Sequence, residues 1–164
     1  MSQRESLTFR EQVRPGDVAV VREIVASTGF FHDHEIAVAA ELVAERLEKG
    51  PASGYLFLFA EQGGRVLGYS CYGEVACTVG SFDLYWIAVH NDHRSRGIGR
   101  LLLEKTEAAI AAHRGRAIWV ETSGQEKYLP TRDFYQRCGY HEEARLQGFY
   151  AAGDDKVIYV KQLR

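Results

Sequence analysis

The sequence is short of the features that mark a secreted, disulfide-bonded fold or a membrane protein. Its three cysteines, Cys71, Cys77 and Cys138, are odd in number, and no two of them have CxxC spacing. We therefore expect no disulfide framework and a reducing, cytoplasmic environment. No apolar run approaches the roughly 20 residues that a membrane-spanning helix needs. The segment from Met1 to Glu11 is polar and lacks the apolar centre of a signal peptide, so we expect no membrane partner.

The sequence also lacks a large excess of either charge. It has 20 lysines and arginines and 22 aspartates and glutamates, for a formal net charge of −2. Nucleic-acid-binding modules usually present a strongly basic face, so this balance predicts no nucleic-acid partner. Only three prolines are present and the glycines are scattered, so no linker divides the chain. A length of 164 residues suits one compact domain, and we predict a single domain over residues 1–164.

The hydrophobic pattern switches between strand and helix periods, and it predicts the order β-α-α-β-β-β-α-β-α-β-β. That order implies a mixed sheet with helices on both faces and a parallel step between the fourth and fifth strands. We also expect the fourth strand to be covered on both faces, Asp17 to cap the first helix, and Leu47 to lie on the buried face of the second. The predicted strands are Leu7–Val13, Tyr55–Glu61, Arg65–Tyr72, Phe82–Val89, Ala117–Glu121, Glu143–Tyr150 and Lys156–Leu163, and the helices are Asp17–Ser27, Asp33–Lys49, Gly97–His113 and Thr131–Arg137.

The clearest chemical signal follows the fourth strand, where Arg94-x-x-Gly97-x-Gly99 leads into an amphipathic helix. The first turn of a helix has unpaired N–H groups and a partial positive charge, and glycines let the backbone approach a phosphate. Arg94, Arg96 and Arg100 add full positive charge at the same place. The sequence therefore predicts a phosphate site, with a solvent-exposed glycine turn as the alternative. A Walker A string is absent, and a dinucleotide fingerprint would need a third glycine.

Two motifs together resemble the GNAT superfamily of acetyltransferases. The first is the arginine-glycine segment just described, and the second is Phe134-Tyr135-Gln-Arg-Cys-Gly139-Tyr140. The resemblance covers most of the chain, since the order of elements also matches. It implies an α/β fold with three layers, α/β/α, around a mixed, mostly antiparallel sheet that has a parallel, splayed pair at its middle. It also implies an N-acetyltransferase that uses acetyl-CoA as donor and releases CoA.

The same resemblance assigns the cofactor contacts. The strand end at Ile87, Ala88 and Val89 should pair with the pantetheine arm, and a bulge there should splay it from the next strand. Family members often have an asparagine one turn before the Phe-Tyr pair, where this sequence has Tyr128. The loop that should receive the pyrophosphate comprises Arg94, Ser95, Arg96, Gly97, Ile98, Gly99 and Arg100.

Amine acylation needs a base for the amine, a donor for the thioester oxygen and an acid for the leaving thiolate. By the resemblance, the N–H group of Val89 is the donor and Tyr135 is the acid, with packing in the core as the alternative for Tyr135. Asp83 is the first candidate for the base and Glu121 is the second. Each carboxylate could instead be an ordinary strand-end group that binds the amine.

Aromatic residues are the candidates for the acceptor pocket. Phe30-Phe31 lies between the first two helices, where the resemblance predicts a roof over the acceptor, although the pair could equally pin the helices together. Tyr85 shares the strand face of Asp83 by alternation, and Tyr128 with Phe149-Tyr150 is expected to form another wall. Beside a carboxylate, such a pocket suits a small-molecule amine with an apolar part.

No metal is predicted, because His32 and His34 at a helix start should not face the same side and no second cluster completes a site. No cysteine lies in the arginine-glycine segment, so we expect direct attack by a primary amine in a ternary complex. Two alternatives stay open, namely a non-catalytic sensor that binds acyl-CoA and a protein-lysine or N-terminal acetyltransferase. The resemblance also allows a homodimer.

Overall fold

The computed structural model describes residues 6–163, and within them seven strands and four helices follow in the predicted order. The sheet has the strand order β1-β2-β3-β4-β5-β7-β6, with β4 and β5 parallel, which confirms the predicted fold class. The strands are β1 (Thr8–Arg10), β2 (Leu56–Gln62), β3 (Arg65–Glu74), β4 (Ser81–Val89), β5 (Ala117–Ser123), β6 (His141–Ala151) and β7 (Asp154–Gln162). The helices are α1 (Asp17–Ser27), α2 (Asp33–Lys49), α3 (Ile98–Ala112) and α4 (Leu129–Arg137).

The chain divides into two compact units, and each unit includes part of β4 and part of α3. The first unit comprises the described residues up to Gly73 together with Trp86–Thr106. The second unit comprises Glu74–Tyr85 together with the described residues from Glu107 onward. The single domain expected over residues 1–164 stays a prediction.

In the first unit, helices cover both faces of the strands. The apolar sides of α1 and α2 bury residues such as Val21 against Phe59 of β2, and Ala88 of β4 belongs to the same core. On the opposite face, Ser70 Oγ of β3 and Thr106 Oγ1 of α3 are 2.7 Å apart in a buried hydrogen bond. Successive strand residues point to opposite faces, so these strands have α1 and α2 on one face and α3 on the other. The end of β4 is therefore held in a packed unit.

In the second unit, the helices share one face of the strands. The ring of Tyr135 in α4 stacks on Tyr159 of β7 with centroids 6.2 Å apart, and the strand register places Tyr159 opposite Val120. Glu107 of α3 lies 2.9 Å from Lys161, which the register places opposite Ile118 on the same face. The other face of β5 and β7 therefore carries no helix among the described residues of this unit.

Three details differ from the expectations. Asp17 does not cap α1: it is the first helical residue, is only 3% exposed, and forms an ion pair with Arg10 at 2.8 Å. Leu47 is exposed, whereas the buried face of α2 consists of Ala39, Ala40 and Val43. Finally, β4 is not covered on both faces, since Tyr85 is 42% exposed. The third correction matters most, because it opens one face of the second unit beside a candidate base.

Candidate functional site

The predicted phosphate loop lies in the first unit, between β4 and α3. The N–H group of His90, just after β4, donates to the Leu67 carbonyl at 2.8 Å, which anchors the start of the loop. One 3-10 turn, Asn91–His93, follows, and Ser95 and Gly97 both have positive φ, 62° and 76°. A Cβ added to Gly97 would meet no atom within 4 Å, so the glycine serves backbone conformation and leaves open space beside the helix start.

The backbone N–H groups of residues 95–100 are free to bind an anion. Within the part of the chain that the structure describes, none of them donates to a backbone carbonyl, and the first such donor is Leu101 N–H to Gly97 O at 3.1 Å. These groups lie at the positive end of the dipole of α3, a helix of 15 residues. The loop therefore has the geometry of a phosphate site at a helix N-terminus.

The arginines of the loop keep most of their charge available. Among the described residues, Arg94 and Arg96 have no carboxylate partner and contact neutral acceptors only. Arg100 differs, since it forms an exposed pair with Glu104 at 3.3 Å. The neutral acceptors are Asn91 Oδ1, 3.4 Å from Arg94, and both His93 Nδ1 and Gln62 Oε1, 3.1 and 3.2 Å from Arg96. The sequence did not indicate His93 and Gln62 as part of this site, because only the folded loop brings them to Arg96.

Beyond its short ladder with β5, the edge of β4 that faces away from β3 has no strand partner among the described residues. His90 N–H points to β3, and N–H groups of neighbouring strand residues point to opposite edges, so Val89 N–H points away from β3. Ala88 is buried, whereas Ile87 and Val89 are half-buried. A Cβ on Gly68 of β3 would lie 2.8 Å from Ala88 O, so only glycine permits this close approach of the two strands.

Parallel pairing between β4 and β5 is brief. The register runs from Ser81 with Ala117 to Asp83 with Trp119 and ends there, although both strands continue. A short ladder of this kind is what a splayed pair requires. The bulge expected at Val89 stays a prediction.

Tyr135 lies in the second unit with its ring fully packed and its hydroxyl unpaired. The ring contacts Phe134, Tyr140 and Tyr159, with centroids between 5.5 and 6.2 Å away. The hydroxyl forms no hydrogen bond with another described residue. Burial, with a smaller effect from Cys138, raises the pKa of Tyr135 above its usual value, so the phenol stays protonated at neutral pH. The structure thus shows core packing for the ring and, at the same time, a hydroxyl that is free to donate.

The two candidate bases lie on the open face of the second unit. Asp83 of β4 is opposite Trp119 of β5 in the parallel ladder. Glu121 lies two residues after Trp119 in β5 and therefore on the same face of the sheet as Trp119 and Asp83. Glu121 is half-exposed and forms an ion pair with Lys156 at 2.7 Å, whereas Asp83 makes no hydrogen bond or ion pair with a described residue. Burial chiefly, and then Glu121, raises the pKa of Asp83, while Lys156 lowers it. Asp83 is therefore the carboxylate that is free to accept a proton.

Residues 53–142, more than half of the chain, match the family model for an acetyltransferase (GNAT) domain. The chain belongs to the GNAT acetyltransferase family. A curated relative, an uncharacterized N-acetyltransferase of Chlorobaculum tepidum, is 33% identical over 86 residues, 52% of this chain and 50% of that protein. The matched part of this GNAT chain thus spans about half the length of that relative.

Solved GNAT structures extend the similarity to nearly the whole chain. A protein of Desulfovibrio desulfuricans assigned to the GNAT family is 48% identical, with a TM-score of 0.94 and coverage of 96% of this chain and 99% of that chain. An aminoglycoside 6′-N-acetyltransferase solved with coenzyme A is 15% identical, with a TM-score of 0.72 and coverage of 96% of both chains. At 15% identity the likeness concerns the fold alone.

The aromatic candidates for acceptor binding fall into two groups in this GNAT domain. In the first unit, Phe30 and Phe31 are half-buried, and Phe31 packs edge-on against Trp86 at 5.1 Å, so it at least pins the helix connection to the core. In the second unit, Tyr85 is exposed, as are Phe149 and Tyr150, whose perpendicular rings are 5.2 Å apart. Burial raises the pKa of Tyr150, and so do the nearby charge of Glu121 and smaller effects from Asp154 and Tyr128. Of this second group, Tyr150 therefore lies near the candidate carboxylate Glu121.

The early histidine pair corrects one argument in the sequence analysis. The rings of His32 and His34 stack 5.7 Å apart, so they do face the same side, because His32 lies at the non-helical position before α2. Among the described residues, no group of three or more His, Cys, Asp or Glu side chains is arranged to hold a metal ion. Within residues 6–163, no helix is both long and apolar enough to cross a bilayer.

Proposed function

We propose that this GNAT chain is an acetyl-CoA-dependent N-acetyltransferase that acetylates a primary amine of a small molecule by direct attack in a ternary complex. The observation that carries the proposal is the loop before α3, with free N–H groups over residues 95–100 and two arginines without carboxylate partners. A diphosphate needs such donors and such unneutralised charge. Acetyl-CoA, when bound, supplies an acyl group activated as a thioester.

The loop holds the diphosphate through its backbone, and Arg94 and Arg96 supply the balancing charge. Ile87, Ala88 and Val89 offer the backbone edge for the pantetheine arm. The N–H group of Val89, directed away from β3, donates to the carbonyl oxygen as negative charge develops there. Each of these roles uses a backbone or guanidinium group of the first unit.

Proton transfer uses residues of the second unit. Asp83 accepts the proton of the attacking ammonium, because its carboxylate is unpaired and its pKa is raised toward the working range. Glu121 is the weaker candidate, since Lys156 already holds it at 2.7 Å. Tyr135 is the acid for the departing thiolate, because its hydroxyl is protonated at neutral pH and has no hydrogen bond with another described residue.

The acceptor we propose carries an apolar part next to its amine. Exposed aromatic rings of Tyr85, Phe149 and Tyr150 offer contact area for that part, and the neighbouring carboxylates attract the cationic amine before it is deprotonated. Cys71, Cys77 and Cys138 form no disulfide in the described part of the chain, which supports our placement of this activity in the reducing cytoplasm.

Isothermal titration of the protein with acetyl-CoA, CoA and ATP tests the cofactor site. We expect micromolar binding of acetyl-CoA and CoA, and no binding of ATP. Arg94→Ala combined with Arg96→Ala should weaken CoA binding and reduce its salt dependence, because two unneutralised charges are lost. The matched control is Arg22→Ala with Lys49→Ala, which removes two charges from exposed positions of α1 and α2.

Equal affinity of the loop variant and the control variant for CoA would contradict the diphosphate assignment.

Turnover is then measured as free-thiol release with a library of small amines and with basic peptides. Release with small amines supports the proposal, whereas release with peptides alone would replace the acceptor class. Binding of acetyl-CoA without release for any amine would favour the sensor alternative.

A further inference from the structure

His93 lies inside the phosphate loop and makes a directional contact with one of its arginines. Arg96 Nη1 is 3.1 Å from His93 Nδ1, and Nη2 of the same guanidinium donates to Gln62 Oε1 at 3.2 Å. A guanidinium can only donate, so His93 Nδ1 must accept. The proton of the neutral imidazole therefore lies on Nε2.

The surroundings of His93 favour this neutral form. Its Nε2 atom is buried and has no hydrogen-bond partner among the described residues. Desolvation lowers the pKa of His93, and so do the charges of Arg96, Arg65 and His90, with only Asp92 acting in the opposite direction. A second positive charge at this position would thus be costly, and the ring remains an acceptor for Arg96 at neutral pH.

The neighbouring histidine does not compete for Arg96. His90 Nδ1 accepts from the Asp92 N–H group at 3.1 Å, and His90 Nε2 lies 3.7 Å from Glu23. The two imidazoles are therefore directed at different partners, although their centroids are only 5.9 Å apart. Of the two, only His93 has a hydrogen bond with an arginine of the loop.

Resting on the proposed function, we propose that His93 is a positioning residue that holds the Arg96 guanidinium for the cofactor diphosphate. A free arginine side chain loses conformational entropy when a ligand orders it. Two neutral acceptors, His93 and Gln62, restrict the guanidinium beforehand and leave its charge intact. A carboxylate in the same place would bind Arg96 more strongly but would cancel the charge that the diphosphate needs.

A double-mutant cycle on CoA affinity tests the pairing. His93→Phe keeps a flat ring but removes both nitrogens, and we expect CoA to bind about tenfold more weakly, as for the loss of one hydrogen bond to a charged group. In an Arg96→Ala background the same change should alter affinity by less than about twofold, because the group that His93 positions is gone. His93→Asn places an amide oxygen near the position of Nδ1 and should restore most of the affinity.

Two outcomes of the cycle would overturn the inference. An unchanged affinity in His93→Phe would show that Arg96 needs no positioning. An equal loss in both backgrounds would show that His93 acts on the loop in some other way, including through packing. Thermal unfolding of each variant accompanies the titrations, and His93→Ala, which also lacks an acceptor for Arg96, supplies the measurement if His93→Phe does not fold.

Nitrogen NMR of the imidazole tests the pairing without any cofactor. We expect the Nε2–H tautomer at neutral pH and a pKa below the usual histidine value, which Arg96→Ala should raise. A Nδ1–H tautomer, or a ring protonated at neutral pH, would refute the pairing. If the wild-type protein does not bind CoA, the proposed function fails, while the tautomer still reports on the contact between His93 and Arg96.

Discussion

Replacement of Tyr135 by Phe removes one oxygen and leaves the packing of the ring in place. The ring contacts with Phe134, Tyr140 and Tyr159 do not involve the hydroxyl, which makes no hydrogen bond with a described residue. We therefore expect the free energy of unfolding to change by less than about 1 kcal/mol, since no intramolecular hydrogen bond is lost. The affinity for acetyl-CoA should also remain nearly unchanged.

Turnover, in contrast, should fall at least tenfold. A positioned general acid typically contributes about 10²- to 10⁴-fold, but a thiol with an ordinary pKa near 8.5 leaves as thiolate more readily than an alcohol does. The expected loss is therefore at the lower end, on the order of 10- to 100-fold, or about 1.4 to 2.7 kcal/mol in the barrier. Burial of Tyr135 keeps its pKa above the usual value, so the wild-type phenol is in the donating form throughout the neutral range.

The matched control is Tyr140→Phe, the same substitution in a neighbouring ring of the same cluster. Tyr140 donates to Glu107 at 3.1 Å, and loss of a hydrogen bond to a carboxylate should destabilise the fold by roughly 1.5 to 3 kcal/mol. Thiol release and urea unfolding are measured for both variants. We expect Tyr135→Phe to keep the wild-type free energy of unfolding and to lose turnover, and Tyr140→Phe to lose free energy of unfolding and to keep turnover. Equal turnover in Tyr135→Phe and wild type would refute the acid role.

Two other substitutions test the base and the strand edge. Lys156→Met removes the charge that lowers the pKa of Asp83, so that pKa rises further. Because a base must be deprotonated, the acidic limb of kcat/KM against pH should move to higher pH, and an unmoved limb would argue against Asp83. Gly68→Ala would place a Cβ 2.8 Å from Ala88 O and 3.3 Å from Val89 Cα. We expect the resulting displacement of the end of β4 to lower kcat and to reduce the free energy of unfolding by about 1 to 3 kcal/mol. A Gly68→Ala variant with wild-type kcat would argue against a role for Val89 at the thioester.

Sequence reasoning predicted the fold well because local signals agreed with one another. The bounds of α1 and α2 match the predicted ranges, since Pro15-Gly16 and Gly50-Pro51 stop any continuation of the helices. The parallel step from β4 to β5 followed from a strand, a helix and a second strand in succession. These features depend on residues close in the chain, and such residues can be compared directly in the sequence.

Features that depend on distant partners could not be predicted in the same way. Asp17 had the residue type of a helix cap, but Arg10 and the surrounding core turned it into a buried ion pair. Likewise, the sequence ranked Asp83 above Glu121 only by position, and nothing in it indicated that Lys156 would pair with Glu121. The strand register places Lys156 opposite Ser123, which puts its side chain on the same face as Glu121. Register is a tertiary property, and one residue of slip would have reversed the face.

The faces of the second unit give the strongest argument for a division of proton transfer between Asp83 and Tyr135. Tyr135 packs on Tyr159, which lies opposite Val120 in the strand register. Asp83 lies opposite Trp119, whose side chain points to the other face of the sheet. On opposite faces, one can take a proton from an amine while the other gives a proton to a thiolate, and no proton has to pass between the two side chains. Under the proposed roles, the amine would approach from the face of Asp83 and the thiol would leave toward the face of Tyr135.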